Sequence, residues 1–284
     1  MRHIEYKNIV EEVKSLCIKA AYDLPPDVLA ALQKAARSES NPLAARILQQ
    51  LIENAHIASA DKIPLCQDTG LAVLFIEQGA DIVIECPVGK TVIDAINNGV
   101  IQGYEKGFLR KSIVAEPLQH RKNTGNNTPA VIHWSIVEGD KFKISFMAKG
   151  GGCENKSAFK MFKPTTSPEE IKDWIVEVVK NAGADACPPY VVGVGIGGNF
   201  EVSSLISKKA LLRSFDKPNP DAFYAQMESD LLAQINKLNV GPQGLGGDTT
   251  ALAVLIETAP CHIASLPVAV NIECHSHRHG EIII

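Results

Sequence analysis

The sequence lacks any long hydrophobic run: no segment approaches the roughly 18 consecutive apolar residues that a membrane-spanning helix needs. The N-terminus, Met1 to Lys7, carries charges where a signal peptide needs an apolar stretch. We therefore expect a cytoplasmic protein. Because that compartment keeps thiols reduced, the seven cysteines indicate metal or redox chemistry rather than a disulfide framework.

The sequence also lacks an excess of positive charge. It has 28 Lys and Arg against 32 Asp and Glu, which gives a formal net charge of −4 over 284 residues. This balance gives no reason to expect nucleic acid or an anionic membrane surface as a partner. With 45% hydrophobic residues the chain can bury a large core, so we expect a small molecule or another protein as the partner.

The cysteines do not form a local metal-binding motif. Cys66, Cys187 and Cys274 lie in three unlike, turn-prone segments that are far apart in the chain. Such thiolates can share a ligand only if the fold brings three loops together, as when remote cysteines hold an iron–sulfur cluster. A cluster with three protein ligands keeps one iron open as a Lewis acid, which favours hydro-lyase chemistry over electron transfer. Cys17 and Cys86 are typical of buried core thiols.

Hydrophobic spacing predicts an α+β (mixed) fold. We expect an N-terminal helical layer over about residues 1–60, followed by a mixed β-sheet with flanking helices over about residues 61–284. The predicted helices are 9–37, 42–58, 91–109, 168–183, 202–215 and 221–238, and the predicted strands are 71–76, 82–84, 131–137, 142–146, 190–196, 251–256 and 266–272. The turn Glu138-Gly139-Asp140 predicts that strands 131–137 and 142–146 form a hairpin.

Two glycine-rich loops indicate ligand contact. Gly193 to Gly198 fits G-x-G-x-x-G, but a dinucleotide site needs an acidic residue closing a second strand, whereas Asp216 follows a predicted helix. We interpret these glycines as allowing close approach of a bulky ligand, with amides of the next helix facing negative charge. The loop from Ala148 to Lys156 could bind carboxylates through its amides and lysines, or it could be a plain turn.

Two further cysteine settings leave alternatives open. Cys153 adjoins three glycines and could compete for a cluster, although the glycines alone explain the loop, so we rank it below Cys187. The segment Cys274 to His279 suggests zinc, but its spacing matches no standard zinc motif. Its histidines could instead be solvated charge near the chain end or a subunit contact.

Together the motifs resemble the α subunit, equivalent to the N-terminal domain, of class I iron–sulfur fumarases and L-tartrate dehydratases. The resemblance covers nearly the whole chain and rests on seven motifs in order. They are Cys66-Gln67-Asp68-Thr69-Gly70, Asn123 to Pro129, Lys149 to Gly152, Cys187-Pro188-Pro189, Gly193 to Gly198, Gly241 to Gly247 and the Cys274 segment.

The resemblance implies roles for individual residues. Cys66, Cys187 and Cys274 would hold one [4Fe-4S] cluster whose fourth iron binds substrate, with three cysteine loops converging on it. Cys153 falls where related fumarases often carry serine. His262 resembles a family histidine that reaches the active site across a subunit interface. The implied catalytic residues are Asp68 and His262, and the implied substrate-binding residues are Gln67, Arg110, Lys149, Gly150 and Gly151.

The implied activity is reversible hydration of fumarate to L-malate, a step of the tricarboxylic acid cycle. L-tartrate or a mesaconate-type dicarboxylate is the alternative substrate, and a non-catalytic iron–sulfur sensor is the alternative of another class. The sequence stops at Ile284, whereas single-chain relatives continue into a second domain that carries the proposed threonine base. We therefore expect a separate β subunit that carries the base, and an α2β2 assembly.

Overall fold

The structure, a computed structural model, describes residues 1–284 and confirms the predicted α+β class. The helices are α1 (Tyr6–Tyr22), α2 (Pro26–Ser38), α3 (Pro42–Asp61), α4 (Val92–Lys106), α5 (Gly151–Glu154), α6 (Pro168–Ala182), α7 (Phe200–Ala210) and α8 (Ala222–Asn236). The strands are β1 (Arg2–Glu5), β2 (Leu71–Gly79), β3 (Ile82–Glu85), β4 (Val131–Val137), β5 (Phe142–Lys149), β6 (Ala158–Phe162), β7 (Tyr190–Gly197), β8 (Ala251–Ala259), β9 (Leu266–Glu273) and β10 (His279–Ile283). No helix combines the length and the apolar character that crossing a membrane requires.

Backbone packing divides the chain into two compact units. Unit 1 comprises Met1–Pro25, Ala55–Gly150 and Arg278–Ile284, and unit 2 comprises Pro26–Asn54 and Gly151–His277. Each unit contains a four-stranded mixed sheet with its own hydrophobic core. The mixed sheets flanked by helices agree with the predicted fold class.

In unit 1 the strand order is β10-β5-β2-β4, and β1 and β3 form a separate parallel pair. Helices α1 and α4 pack tightly together, because glycines of α4 leave room for side chains of α1. A Cβ added at Gly99 would lie 2.6 Å from the Cβ of Val13, and one at Gly103 would lie 2.7 Å from that of Cys17. Cys17 is buried, which raises the pKa of its thiol and confirms it as a core residue, whereas Cys86 is only half-buried.

The predicted hairpin of strands 131–137 and 142–146 is wrong. Both strands exist as β4 and β5, but each pairs with β2 instead of with the other, β4 in parallel and β5 antiparallel. The reason is burial: β2 is buried from Ala72 to Ile76, so its backbone polar groups need a strand on each side. The Gly139 turn instead bonds to the turn after β2, where the amide of Asp81 donates to the carbonyl of Gly139 (3.0 Å).

In unit 2 the strand order is β6-β9-β7-β8, with β7 parallel to β8 and antiparallel to β9. Helices α6 and α8 share one hydrophobic cluster with β7 through Val192, Val194 and Ile196. The opposite face of β7 packs against α7. The predicted start of α6 is confirmed, because the hydroxyl of Ser167 accepts a hydrogen bond from the amide of Glu170 (3.2 Å).

The ligand-approach interpretation of Gly193 and Gly195 is wrong. A Cβ on Gly193 would lie 2.1 Å from the carbonyl oxygen of Ser207, and one on Gly195 would lie 2.0 Å from that of Ser203. Both oxygens belong to α7, so the glycines let this helix pack directly on β7. The G-x-G-x-x-G pattern is therefore explained by helix–sheet packing at these two positions.

Candidate functional site

Cys66 lies in a loop of unit 1 whose backbone is held by buried hydrogen bonds. The hydroxyl of Tyr104 lies 3.0 Å from the carbonyl oxygen of Thr69 and 2.9 Å from that of Gly70, and donates to this pair. Burial raises the pKa of the Tyr104 phenol, so the hydroxyl keeps its proton. The loop thus presents half-buried Cys66 and exposed Gln67 from a fixed backbone.

The same loop is bonded to the end of the chain. Arg278 is only 2% exposed, and its guanidinium donates to the carbonyl oxygen of Asp68. The amide of Ala148 donates to the carbonyl of Arg278 (2.9 Å), which ties this arginine to β5. Asp68 also closes the loop internally, because its Oδ1 accepts a hydrogen bond from the amide of Gly70 (3.0 Å).

Arg110 lies on a segment that is hydrogen-bonded to the Cys66 loop. The hydroxyl of Thr69 donates to the carbonyl oxygen of Arg110 (2.9 Å). Asn127 reinforces the link, because its amide donates to the carbonyl of Gly70 (3.2 Å) and its Oδ1 accepts from the amide of Ser112 (2.7 Å). These bonds join the segment of Arg110 to the loop that carries Gln67 and Asp68. The Arg110 side chain itself is exposed.

The predicted substrate-binding residues of the glycine loop differ in exposure. Lys149 ends β5 opposite Leu71 and is 1% exposed, so its side chain is buried. Gly150, the next residue, is also buried. Gly151 is exposed and begins α5 in unit 2. Only the last of these three positions is open to solvent.

Cys187 and Cys274 lie at the same end of the unit 2 sheet. Cys187 precedes β7 and Cys274 follows β9, and these antiparallel neighbours place Val191 opposite Glu273. The amide of His275 donates to the carbonyl of Cys187 (3.3 Å), which joins the two cysteine segments. Cys187 is exposed and has a φ of +55°, a conformation that is uncommon outside glycine and concentrated at functional sites.

Cys153, which the sequence ranks below Cys187 as a ligand, contacts the residues at the end of β9. Its Sγ donates to Oε1 of Glu273 (3.2 Å), and the same oxygen accepts from the amide of Cys274 (3.1 Å). The ligand atoms of these three buried residues lie within 4.8 Å of one another. Glu273 was not among the predicted site residues, although a single carboxylate at the end of a largely apolar strand is a signal that could have found it.

His262 lies at the opposite end of the unit 2 sheet. It follows β8, whose last residue, Ala259, pairs with Gly197 at the far end of β7 from Cys187. The eight residues of β7 rise roughly 3.3 Å each, which puts on the order of 25 Å between the two ends. His262 is exposed, and its Nδ1 accepts a hydrogen bond from the amide of Ala264 (3.1 Å). The structure therefore does not bring His262 to the cysteine end of unit 2.

The interpretation of the C-terminal histidines as solvated charge is wrong for His277. This residue is 0% exposed, its Nε2 donates to the carbonyl of Leu211 (2.8 Å), and its ring stacks on Phe215. These contacts show that His277 packs inside unit 2 and does not face solvent.

The donor chemistry of the predicted ligands fits an iron–sulfur group. None of the seven cysteines forms a disulfide, so Cys66, Cys187 and Cys274 retain the thiols from which thiolate ligands form. Cys187 and Cys66 are reachable from solvent, and Cys274 lies beside the segment of Cys187. The residues present are therefore compatible with the group that the motifs predict.

Comparison with known proteins gives a consistent result. The family model described as fumarate hydratase (Fumerase) matches residues 10–283. The chain is 41% identical over 276 residues to a Methanocaldococcus jannaschii protein named "Putative L(+)-tartrate dehydratase subunit alpha", with 96% of each chain covered. It is 29% identical over 288 residues to the L(+)-tartrate dehydratase subunit alpha of Escherichia coli O157:H7, covering 97% of this chain and 90% of that protein.

Proposed function

The chain belongs to the fumarate hydratase (Fumerase) family, and from this premise we propose that it is the α subunit of a two-subunit iron–sulfur hydro-lyase that interconverts fumarate and L-malate. The observation that carries the proposal is the hydrogen bond from Thr69 to the carbonyl of Arg110. This bond connects the loop that contains Cys66, a predicted cluster ligand, to the segment that carries Arg110. The exposed guanidinium of Arg110 can bind a carboxylate. A dicarboxylate hydro-lyase needs both features in one place.

We assign Cys66, Cys187 and Cys274 to a [4Fe-4S] cluster. When bound, such a cluster supplies a Lewis acid for the oxygen atoms of the substrate. The intact thiols and the bonded segments of Cys187 and Cys274 support this assignment. Cys153 is left out of the ligand set, since the structure ties it to Glu273.

The remaining residues bind and orient the dicarboxylate. Arg110 would hold one carboxylate through two parallel hydrogen bonds, which the planar guanidinium favours. The exposed amide of Gln67 would donate to a substrate oxygen, and the Asp68 carboxylate would accept a hydrogen bond from the substrate hydroxyl. The amides of Gly150 and Gly151 would stabilise the negative charge that develops on the second carboxylate as the carbon-bound proton leaves. Lys149 would add positive charge beneath that loop.

The proposal includes a β subunit that carries the base, in an α2β2 assembly. Two findings support it. The relatives in Methanocaldococcus jannaschii and Escherichia coli O157:H7 are both named as alpha subunits. His262 lies at the far end of the unit 2 sheet from Cys187, which suits a residue that acts in the site of another subunit.

L-tartrate is the second candidate substrate. The names of the relatives favour it, because both contain tartrate dehydratase. The two reactions share the removal of water from a four-carbon hydroxy dicarboxylate, so the contacts assigned to Arg110 and Gln67 serve both. A role in the tricarboxylic acid cycle follows only if fumarate and L-malate are the substrates.

The test is anaerobic co-production of this chain with its β subunit, reconstitution with iron and sulfide, and comparison of kcat/KM for L-malate, fumarate, L-tartrate and mesaconate. We expect turnover of L-malate and fumarate by the pair and negligible turnover by this chain alone. A preference for L-tartrate would change the assigned substrate and leave the proposed hydro-lyase activity in place. A cluster whose spectrum is unchanged by all four compounds, with no turnover, would contradict the proposal and favour the iron–sulfur sensor.

A further inference from the structure

We propose that Cys153, Glu273 and Cys274 form a second metal site in unit 2, selective for a borderline-soft divalent cation such as Zn²⁺. The site shares Cys274 with the cluster that we assign to Cys66, Cys187 and Cys274. A bound zinc ion would therefore exclude the cluster from the same chain. The competition between zinc and the cluster for Cys274 rests on the proposed function, whereas the zinc site itself does not depend on it.

The distances suit one small ion. The two Sγ atoms and the carboxylate oxygen lie within 4.8 Å of one another, and Cys153 Sγ is 3.2 Å from Glu273 Oε1. In a tetrahedral zinc site, Zn–S bonds of about 2.3 Å separate two sulfurs by about 3.8 Å. The three donors are already close to that arrangement, so small side-chain rotations would bring them onto one ion.

The donor set also selects the class of metal. Two thiolates and one carboxylate are ligands that zinc accepts, whereas Mg²⁺ and Ca²⁺ prefer oxygen alone. Three protein ligands would leave a fourth position for water. Binding would release the thiol protons of Cys153 and Cys274, and Glu273 Oε1 would exchange its hydrogen bond from Cys153 for a bond to the ion.

The elements that carry the donors are hydrogen-bonded to each other. Cys153 lies on α5, and Glu273 and Cys274 lie at the end of β9. The neighbouring carboxylate of Glu154 accepts hydrogen bonds from Lys208 (2.6 Å) and from Asn271 of β9 (3.3 Å), which anchors α5 to the strand. The positions of the three donors are thus set by the fold of unit 2.

The site is buried, and the two residues that precede Cys153 in the chain are exposed. Cys153, Glu273 and Cys274 are 3%, 1% and 9% exposed, so a bound ion would be shielded from competing water. Gly151 and Gly152, which precede Cys153, are exposed and carry no side chain that would block access. The solvent boundary therefore lies within two residues of Cys153 along the chain.

The test measures Zn²⁺ binding to the full chain, prepared without cluster under anaerobic, reducing conditions, by competition with a chromophoric chelator. We expect one equivalent of tight zinc in the wild type and at least about tenfold weaker binding in Cys153→Ser, since even loss of a supporting group around a metal costs that much. Cys187→Ser is the matched control and should bind zinc as the wild type does. Co²⁺ substitution should give a thiolate charge-transfer band that weakens in Cys153→Ser and persists in Cys187→Ser.

Cluster loading should show the reverse pattern. With iron and sulfide, Cys187→Ser should fail to form the cluster and Cys153→Ser should form it. Zinc added first should block loading in the wild type but not in Cys153→Ser. If neither the wild type nor any variant loads a cluster, but the zinc affinities of the wild type, Cys153→Ser and Cys187→Ser are as expected, the zinc site stands and the proposed function fails.

Unchanged zinc affinity in Cys153→Ser, or loss of zinc in Cys187→Ser, would overturn the proposal. If Cys153→Ser does not fold, as judged by circular dichroism, Glu273→Gln replaces it, because this variant keeps the side-chain shape and removes the anionic oxygen. If the folded Glu273→Gln protein bound zinc with the affinity of the wild type, the proposal would likewise be overturned.

Discussion

The guanidinium of Arg278 donates a hydrogen bond to the carbonyl oxygen of Asp68, which lies 210 residues earlier in the chain. Arg278 is almost completely buried, so little of its guanidinium is accessible to water, although the bond itself is only partly buried. It joins the C-terminal segment of unit 1, Arg278–Ile284, to the loop that contains Cys66. The backbone of that loop therefore depends on residues that no local pattern in the loop reveals.

Replacing Arg278 by Lys should destabilise the protein by about 1.5–3 kcal/mol, because a buried hydrogen bond from a charged donor is lost or weakened. Equilibrium denaturation measures the loss, and hydrogen exchange should show faster opening of the amides of residues 66–70. Arg2→Lys is the matched control, since Arg2 also donates to carbonyls but is exposed; it should change stability by less than about 0.5 kcal/mol. Equal effects of the two variants would count against a special role for Arg278.

Replacing Tyr104 by Phe should cost about 1–3 kcal/mol, because the carbonyls of Thr69 and Gly70 lose a buried donor. Tyr22→Phe should have a similar thermal and denaturant effect, because the Tyr22 hydroxyl also donates to a buried carbonyl, that of Gly107 (2.9 Å). Tyr104→Phe should reduce the iron content after reconstitution more than Tyr22→Phe does, since the Tyr104 hydroxyl bonds directly to the loop of Cys66 whereas that of Tyr22 bonds to Gly107. The contrary finding would be equal iron loss in both variants.

Replacing Gly195 by Ala should destabilise the protein by about 3 kcal/mol or more, since the new Cβ would lie 2.0 Å from the carbonyl of Ser203 and would push α7 off the sheet. Gly280→Ala should be tolerated within about 0.5 kcal/mol, because the nearest atom to its Cβ, on Leu16, is 3.5 Å away. Thermal melts of both variants provide the measurement. A neutral Gly195→Ala would reopen a ligand-binding role for this glycine segment.

Replacing Arg110 by Met should raise KM for the dicarboxylate roughly 10- to 100-fold, which corresponds to losing a charge-assisted contact of about 1.5–3 kcal/mol. The fold should be unaffected, because Arg110 contributes its backbone carbonyl, and not its exposed side chain, to the bond from Thr69. Lys111→Met removes an adjacent exposed cation and should leave KM nearly unchanged. Equal shifts in both variants would indicate a general charge effect rather than a specific contact.

The sequence predicted the elements whose signals are local. The spacing of apolar residues identified α3 and α6, and the Ser167 cap placed the start of α6 correctly. Periods of 3.6 and 2 arise within one element, so they can be recognised without knowing its neighbours. The short strands β1, β6 and β10 were missed, because they lack the run of β-branched residues by which the equally short β3 was recognised.

Features that depend on remote packing could not be predicted. Predicting that β4 and β5 pair with β2 required knowing that β2 would be an inner strand with a neighbour at each edge. Gly193 and Gly195 form a familiar motif, yet the reason for them lies in α7. The contact of Cys153 with Glu273 joins residues 120 positions apart, and no spacing rule connects them. The ligand roles of Cys66, Cys187 and Cys274 stay predictions that came from motif order.

The most direct test of the central claim compares Cys187→Ser with Cys261→Ser in the complex of this chain with its β subunit, after anaerobic reconstitution. Both cysteines are exposed, but only Cys187 is an assigned cluster ligand. We predict that Cys187→Ser loses both the cluster absorption and the hydration of fumarate, whereas Cys261→Ser keeps both. Full activity in Cys187→Ser, or equal loss in the two variants, would contradict the proposed iron–sulfur hydro-lyase.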